Sequence, residues 1–226
     1  MLDVITVDGP AGSGKSTVSI LVAKKLGFFY LDTGAMYRAV ALQAKRNGVD
    51  PDDGDALGAL CRDLELRFVA EEKGTALYLG EEDISLAIRS PEMDMLSSRI
   101  SAVGEVRRAM TGLQRKMASR GGVVAEGRDM GTVVFPDAAH KFYLTASPDV
   151  RAKRRYRERI ERGETVSMPQ VEKDLKKRDE QDSTRALAPL RPAEDALIID
   201  TDRLSIDQVV HRIYQAVTGR SGPSFS

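Results

Sequence analysis

The sequence has one cysteine, no long apolar run and no net charge, and each lack makes a class of protein less plausible. Cys61 has no partner for an intrachain disulfide, which fits a reducing compartment, so we expect a cytoplasmic protein. No apolar run approaches the roughly 18 residues of a membrane span. No basic segment opens the sequence as in a signal peptide, so we expect neither a membrane nor a secreted protein.

The net charge, by contrast, argues neither for nor against a polyanionic partner. The chain has 34 basic and 34 acidic residues, so only local clusters of cations can indicate a ligand. With 226 residues and 42% apolar side chains, the chain can build one α/β core with insertions or two small domains.

Residues 9–17 read GPAGSGKST and fit the phosphate-binding loop pattern through Gly9, Gly14, Lys15 and Ser16. Glycines let several backbone N–H groups point at one centre and remove the Cβ atoms that would exclude a phosphate. Lys15 is expected at the β- and γ-phosphates, and the Ser16 hydroxyl on Mg²⁺. An ordinary glycine turn is the alternative, and the surrounding pattern argues against it.

That pattern is a strand before the loop and a helix after it. Leu2–Asp8 is a short apolar run of the kind found in buried parallel strands, and Val18–Leu26 has helical periodicity. Further apolar runs alternate with helical stretches along the chain, which predicts a parallel sheet with helices on both faces. Residues 64–85 instead alternate apolar and charged residues, which predicts a small antiparallel hairpin inserted into this core.

Cations recur beside the predicted strand ends and on two helices. Arg38 is expected in the first turn of a helix, where the helix dipole disfavours it unless an anion is present. Arg128 lies in an acidic, glycine-rich loop after a strand. A basic helix follows, carrying Arg155 among its cations. A solvated face or a nucleic-acid surface is the alternative for this helix; we favour a mobile lid over a triphosphate.

The next helix is expected to carry Arg178, Asp182 and Arg185 on one face. They form either a surface ion network or a clamp for a phosphorylated sugar. A phosphate acceptor needs no general base, because a phosphomonoester with a second pKa of about 6 is largely a dianion at neutral pH. It needs cations that offset repulsion from the donor, and Arg38, Arg128 and Arg185 could supply them.

Three segments, together with the glycine loop, resemble the bacterial cytidylate kinase family of P-loop nucleoside monophosphate kinases. They are residues 32–38 (DTGAMYR), 127–137 (GRDMGTVVFPD) and 178–190 (RDEQDSTRALAPL), and the resemblance extends over nearly the whole chain. It implies transfer of the γ-phosphoryl group of ATP to CMP or dCMP, with Mg²⁺. It also implies a P-loop α/β/α fold with a parallel core sheet, a small antiparallel β insertion in the acceptor domain and a helical lid.

The resemblance assigns roles to matching residues. The catalytic residues would be Lys15, Arg128, Arg155 and Arg185, with Ser16 at the metal. The ATP-binding residues would be Gly9, Pro10, Ala11, Gly12, Ser13, Gly14, Lys15, Ser16 and Thr17. The CMP-binding residues would be Thr33, Arg38, Ser98, Arg107, Arg128, Asp129, Arg178, Asp182 and Arg185. Among these, Asp129, Arg107 and Ser98 would read the base, and Asp182 and Arg178 would hold the sugar.

The domain boundaries expected on this basis are a core of 1–34, 100–146 and 186–220, and an acceptor domain of 35–99 that includes the insertion. Residues 147–185 would form the lid and its adjoining helix, and 221–226 a disordered tail. We expect a monomer that binds ATP and CMP or dCMP, with no nucleic-acid or membrane partner. The open alternatives are a kinase for AMP, UMP or shikimate, a P-loop hydrolase such as a switch GTPase, and a non-catalytic nucleotide sensor.

Overall fold

The computed structural model describes residues 3–71 and 74–219. Predictions for Leu2, for residues 72–73 of the hairpin turn and for the tail 221–226 lie outside the described residues. The chain forms two compact units. Within the described residues the first comprises 3–31, 120–184 and 188–219, and the second comprises 32–71, 74–119 and 185–187.

Strands and helices alternate through the first unit, and the second unit interrupts that alternation. In chain order the elements are β1 Val4–Asp8, α1 Lys15–Leu26, β2 Phe29–Asp32, α2 Thr33–Arg46, α3 Gly54–Arg62, β3 Leu66–Glu71, β4 Gly74–Leu79, β5 Glu82–Asp83, α4 Pro91–Ile100, α5 Gly104–Met117, β6 Val123–Gly127, β7 His140–Thr145, α6 Pro148–Glu161, α7 Met168–Thr184, β8 Leu197–Asp200 and α8 Ile206–Thr218.

The first unit is built on a five-stranded sheet of order β2-β6-β1-β7-β8. Strand β1 pairs in parallel with β6 and β7, and β7 pairs in parallel with β8. Apolar residues of α1 and α8, among them Val22 and Ile213, pack with Ile5 and Val7 in one buried cluster. Because side chains alternate along a strand, Thr6 and Asp8 point to the opposite face from Ile5 and Val7.

Helices α6 and α7 pack against each other through a second, smaller apolar cluster. Ala152 of α6 meets Val171 and Leu175 of α7, and Ala11 of the glycine loop joins them. The loop is therefore part of the packed interior of the first unit, which limits its freedom before any nucleotide binds.

The second unit combines helices α2–α5 with the antiparallel sheet β3-β4-β5. Helix α2 packs against α4, and α3 packs against α5. The parallel core sheet and the antiparallel insertion predicted from the sequence are both confirmed.

Two predicted helical positions are wrong. Helix α2 begins at Thr33, so Arg38 lies in its second turn rather than its first. Helix α7 ends at Thr184, so Arg185 follows the helix and does not share a face with Arg178 and Asp182.

The charged, glycine-rich stretch 126–131, expected to be a loop, runs into a π-helical turn at Met130–Val134. The unit boundaries also differ from the predicted domains, because residues 100–119 and 185–187 group with the second unit. The functional domain assignment stays a prediction. Within residues 3–71 and 74–219, no helix combines the length and apolar character needed to cross a membrane.

Candidate active site

The glycine loop takes a backbone conformation that only glycine adopts readily. Gly9 and Gly12 have φ values of 149° and 77°. A Cβ atom on Gly9 would lie 2.1 Å from the carbonyl oxygen of Leu144, so the loop passes too close to β7 for any other residue. Helix α1 begins at Lys15, within the GPAGSGKST segment, with its first N–H groups available to an anion.

Lys15 is held inside the loop. Its Nζ donates to the carbonyl oxygen of Pro10 at 3.1 Å and lies 3.6 Å from Oε1 of Glu126. Burial and, to a smaller extent, the charge of Arg128 lower the pKa of Lys15 to about 7, although the charge of Glu126 opposes the shift. A phosphate group would add negative charge beside the ammonium group and favour its protonated form.

Glu126, which the sequence analysis did not assign, is the centre of this region. It lies in β6 and is 6% exposed. Its Oε1 accepts a hydrogen bond from Ser16 Oγ at 2.8 Å, and its Oε2 accepts a short hydrogen bond from the hydroxyl of Tyr30. Its place in an acidic segment after an apolar strand was the available sequence signal.

Two arginines in the first two turns of α6 contact the backbone of the glycine loop. Arg151 donates to the carbonyl oxygen of Ala11 at 3.3 Å and pairs with Asp179 at 2.6 Å. Arg154 donates to the carbonyl oxygen of Ser13 at 3.3 Å and to that of Thr201 at 2.7 Å. These cations of the basic helix shape the loop, a use that charge spacing alone does not reveal.

Two further cations of α6 are paired with acids of the same unit. Arg155 donates to Glu158 at 2.8 Å. Arg159 pairs with Glu164 at 2.7 Å and with Asp174 at 3.1 Å. A dense row of arginines is therefore balanced locally, and contact of Arg155 with the transferring phosphoryl group stays a prediction.

Arg128 and Asp182, predicted to bind the acceptor, contact each other in the first unit. The Nε of Arg128 donates to Oδ2 of Asp182 at 2.8 Å, and Asp182 is 4% exposed. Burial opposes the charge of Arg128, but the attraction of Asp182, the hydrogen bond with it and the charge of Glu126 together raise the pKa of Arg128. Arg178, on α7, and Asp129, which precedes the π turn, belong to the same unit.

In the second unit, Arg38 belongs to a network of alternating charges. It is 8% exposed and lies 3.4 Å from Asp32 and 3.7 Å from Asp94. Arg89 approaches the same oxygen of Asp32 at 3.3 Å. The chain itself thus places two carboxylates beside Arg38, and neither the two aspartates nor Arg89 was predicted. Binding of an acceptor phosphate by Arg38 stays a prediction.

Ser101 joins three predicted acceptor residues in the second unit. Its Oγ donates to the carbonyl oxygen of Ser98 at 2.8 Å and accepts from Arg185 at 3.2 Å. Its carbonyl oxygen accepts from Arg107 at 3.1 Å, and the Arg107 guanidinium lies 5.8 Å from the ring centre of Tyr37. Thr33, the remaining predicted residue, opens α2 and is 2% exposed.

The parallel sheet, the glycine loop and the buried lysine define a P-loop nucleotide-binding protein of the α/β class. Comparison with known proteins narrows that class. The model of one protein family, described as cytidylate kinase, matches residues 5–219. The chain belongs to the cytidylate kinase family.

Individual relatives agree with this membership. A cytidylate kinase from Syntrophotalea carbinolica is 51% identical over 96% of this chain and 92% of its own length. Cytidylate kinases from Carboxydothermus hydrogenoformans and Vibrio cholerae are 45% and 46% identical, over 94% and 96% of this chain and 96% of their own lengths in both cases.

Among solved structures, an uncharacterized protein from Eubacterium ventriosum matches with a TM-score of 0.54 at 12% identity. The match covers 96% of this chain and 99% of that one. This likeness shows the fold alone.

Proposed function

We propose that this chain transfers the γ-phosphoryl group of ATP to CMP or dCMP, giving ADP and CDP or dCDP. The observation that carries the proposal is the extent of the family match. Residues 5–219 include the glycine loop and every residue predicted to bind the acceptor, from Thr33 to Arg185. A kinase for AMP, UMP or shikimate is not favoured.

The donor is bound by the glycine loop, and Lys15 neutralises the charge that develops on the transferred group. The burial of Lys15 supports this role, because a cation in a poorly hydrated site interacts strongly with phosphate. Arg155 of α6 is proposed to contact the transferring group during turnover, after exchanging Glu158 for phosphate.

The residues around Ser16 fit a bound Mg²⁺. Because the Ser16 hydroxyl directs its proton to Glu126, its lone pairs are available to a cation. Mg²⁺ bound there with ATP supplies charge neutralisation at the phosphate oxygens. Glu126 is proposed to keep Ser16 in this orientation, and Tyr30 to orient Glu126.

The acceptor phosphate is proposed to bind Arg38, Arg128 and Arg185. Each arginine would replace a contact with a side chain of the protein by a contact with the phosphate. The contacts of Arg38 with Asp32, and of Arg128 with Asp182, keep these cations ordered before binding. Asp182 and Arg178 are proposed to hold the sugar. Thr33 completes the proposed acceptor-binding set.

Asp129, Arg107 and Ser98 are proposed to read the cytosine edge. Cytosine presents a donor at its 4-amino group and an acceptor at N3, whereas uracil reverses both. A site that accepts from the amino group and donates to the ring leaves uracil with unpaired polar groups, which gives strong discrimination.

An acceptor panel tests the proposal directly. ADP release from ATP is followed with CMP, dCMP, UMP, AMP and shikimate, and with no acceptor. We expect turnover with CMP and dCMP and little with the others. Turnover without an acceptor would indicate a hydrolase, and binding without turnover would indicate a sensor.

The Lys15→Ala variant supplies the matching control for catalysis. Loss of a charge contact in the transition state typically lowers kcat by about 100-fold or more. Lys24→Ala, an exposed lysine on the same helix, is expected to keep wild-type turnover. Equal rates for Lys15→Ala and the wild type would contradict the role assigned to the loop.

We further propose that the chain acts as a cytoplasmic monomer without nucleic acid. The support is that one chain carries both the donor loop and every proposed acceptor cation. Size-exclusion chromatography with light scattering, in the presence of ATP and CMP, tests the monomer, and a second chain per particle would contradict it.

A further inference from the structure

Asp8 lies at the end of β1, directly before the glycine loop, and has no role in the proposed chemistry. It is 4% exposed and points to the face of the sheet opposite the apolar cluster of Ile5 and Val7. A buried carboxylate is costly unless hydrogen bonds satisfy its oxygens. The hydrogen-bond partners of Asp8 therefore indicate why a carboxyl group occupies this buried position.

Both oxygens of Asp8 accept backbone N–H groups from the residues that open the π turn. Oδ1 accepts from Met130 N at 2.9 Å, and Oδ2 accepts from Gly131 N at 2.8 Å. The first N–H groups of any helical turn have no partner within the turn itself. The Asp8 carboxylate, at the end of β1, supplies these partners, although it is 122 residues from Met130 and 123 residues from Gly131 in sequence.

The turn also depends on its own backbone and on a close fit. The carbonyl oxygen of Asp129 accepts from both Val133 N and Val134 N, at 2.9 and 3.2 Å. A Cβ atom on Gly131 would lie 3.0 Å from Thr6 Oγ1 and 3.3 Å from Cδ of Lys141. The start of the turn therefore packs closely on β1 and β7, and a Cβ atom there would push a neighbour or the turn aside by a few tenths of an ångström.

Lys141 is itself fixed in place. It is 9% exposed, and its Nζ donates to both oxygens of Asp195 at 2.8 and 2.9 Å. These contacts hold the Lys141 side chain against Gly131. Movement of the turn is opposed by packing on this side and by the two Asp8 hydrogen bonds on the other.

We propose that Asp8 is a positioning residue for acceptor recognition, holding the π turn so that Arg128 and Asp129, immediately before it, keep the geometry that binds CMP. This inference rests on the proposed function, in which those two residues contact the acceptor phosphate and the base. A carboxyl group suits the position because each of its two oxygens accepts one N–H group, whereas an amide offers one acceptor and one donor.

The Asp8→Asn variant tests the inference through separate equilibrium binding of CMP and of ATP to the full chain. We expect the Kd for CMP to rise by about 10-fold, as for the loss of one hydrogen bond. The Kd for ATP should stay within about twofold, and the ratio of CMP to UMP turnover should fall.

The matched control is Asp53→Asn. Asp53 also accepts a backbone N–H, from Ala56 at 3.0 Å, but at the start of α3. The Asp53→Asn variant is expected to leave the Kd for CMP, the Kd for ATP and the ratio of CMP to UMP turnover unchanged. Equal weakening of CMP and ATP in Asp8→Asn would show general damage to β1 and overturn the inference, as would no change in either.

A second variant keeps the inference testable if Asp8→Asn does not fold. Gly131→Ala displaces the turn without altering charge or the glycine loop, and it is expected to weaken CMP binding while sparing ATP. Unchanged CMP binding in Gly131→Ala would also overturn the inference. A wild-type chain that does not phosphorylate CMP would instead refute the proposed function, so the two failures are distinct.

Discussion

At the residue scale, Glu126 shows how one buried carboxylate can organise several polar groups. It accepts from the hydroxyls of Ser16 and Tyr30, and it lies 3.6 Å from the Lys15 ammonium group. The two hydroxyl donors come from different elements, Ser16 from α1 and Tyr30 from β2. Glu126 therefore fixes the position of the loop relative to β2 and β6 within the first unit.

Removal of the Tyr30 hydroxyl tests this organisation. Tyr30→Phe keeps the ring in the core but leaves one oxygen of Glu126 without that donor, so we expect the free energy of unfolding to fall by about 1–3 kcal/mol. Urea denaturation measures the change. Tyr214→Phe, a partly buried tyrosine on α8, is the control and is expected to stay within about 0.5 kcal/mol of the wild type. Equal losses in both variants would contradict the special role of Tyr30.

The ionisation of Asp8 predicts a dependence of stability on pH. The pKa of Asp8 is raised from 3.8 to about 7. Burial is the main cause and the charge of Asp129 contributes, and together they outweigh the amides of Gly131 and Met130 and the charge of Arg128. The native state therefore binds more protons than the unfolded chain between about pH 4 and 7. The resulting stability is fully present below about pH 4 and is lost as the pH rises through about 7.

Urea denaturation of the wild type and of Asp8→Asn at several pH values measures this dependence. The difference in their free energies of unfolding, wild type minus variant, is expected to fall by up to about 4 kcal/mol from pH 4 to pH 7. A difference that does not change with pH would contradict the raised pKa.

At the element scale, the start of α2 combines a helix cap with an ion network. Asp32 accepts from Ala35 N at 2.8 Å as the N-cap and also contacts Arg38 and Arg89. An ordinary N-cap, such as Asp53 on α3, satisfies a backbone donor only. The sequence signal for both positions is the same, an aspartate before an apolar helical pattern.

Replacing each cap by asparagine separates the two functions, because asparagine caps a helix about as well as aspartate. Asp53→Asn is expected to change the free energy of unfolding by less than about 0.5 kcal/mol. Asp32→Asn is expected to cost about 1–3 kcal/mol, because the buried Arg38 loses a charged partner. Urea denaturation measures both, and equal costs would show that Asp32 is only a cap.

At the scale of the whole molecule, the proposed donor loop lies in the first unit, whereas the proposed acceptor-binding residues are divided between the two units. We therefore expect each ligand to order different segments. ATP alone is expected to slow amide hydrogen exchange in residues 9–17 and in α6. CMP alone is expected to slow it in α2 and in residues 98–107. Hydrogen exchange with mass spectrometry measures both patterns, and identical patterns for the two ligands would contradict this division of roles.

The amino-acid sequence by itself determined the elements whose causes are local. Apolar runs and the GPAGSGKST segment predicted the parallel core, the loop and the helix after it, and alternating residues predicted the antiparallel insertion. These features follow from backbone preferences and from side-chain periodicity, which act over a few residues.

Only the tertiary structure decided which distant residues satisfy each buried charge. Tyr30 meets Glu126, Asp8 meets Met130 and Gly131, and Arg128 meets Asp182 across separations of 54 to 123 residues. The end of α7 before Arg185 and the π turn at 130–134 belong to the same category. Periodicity cannot specify these partners, because a buried polar group is satisfied by whichever donor or acceptor the packed fold brings within hydrogen-bonding distance.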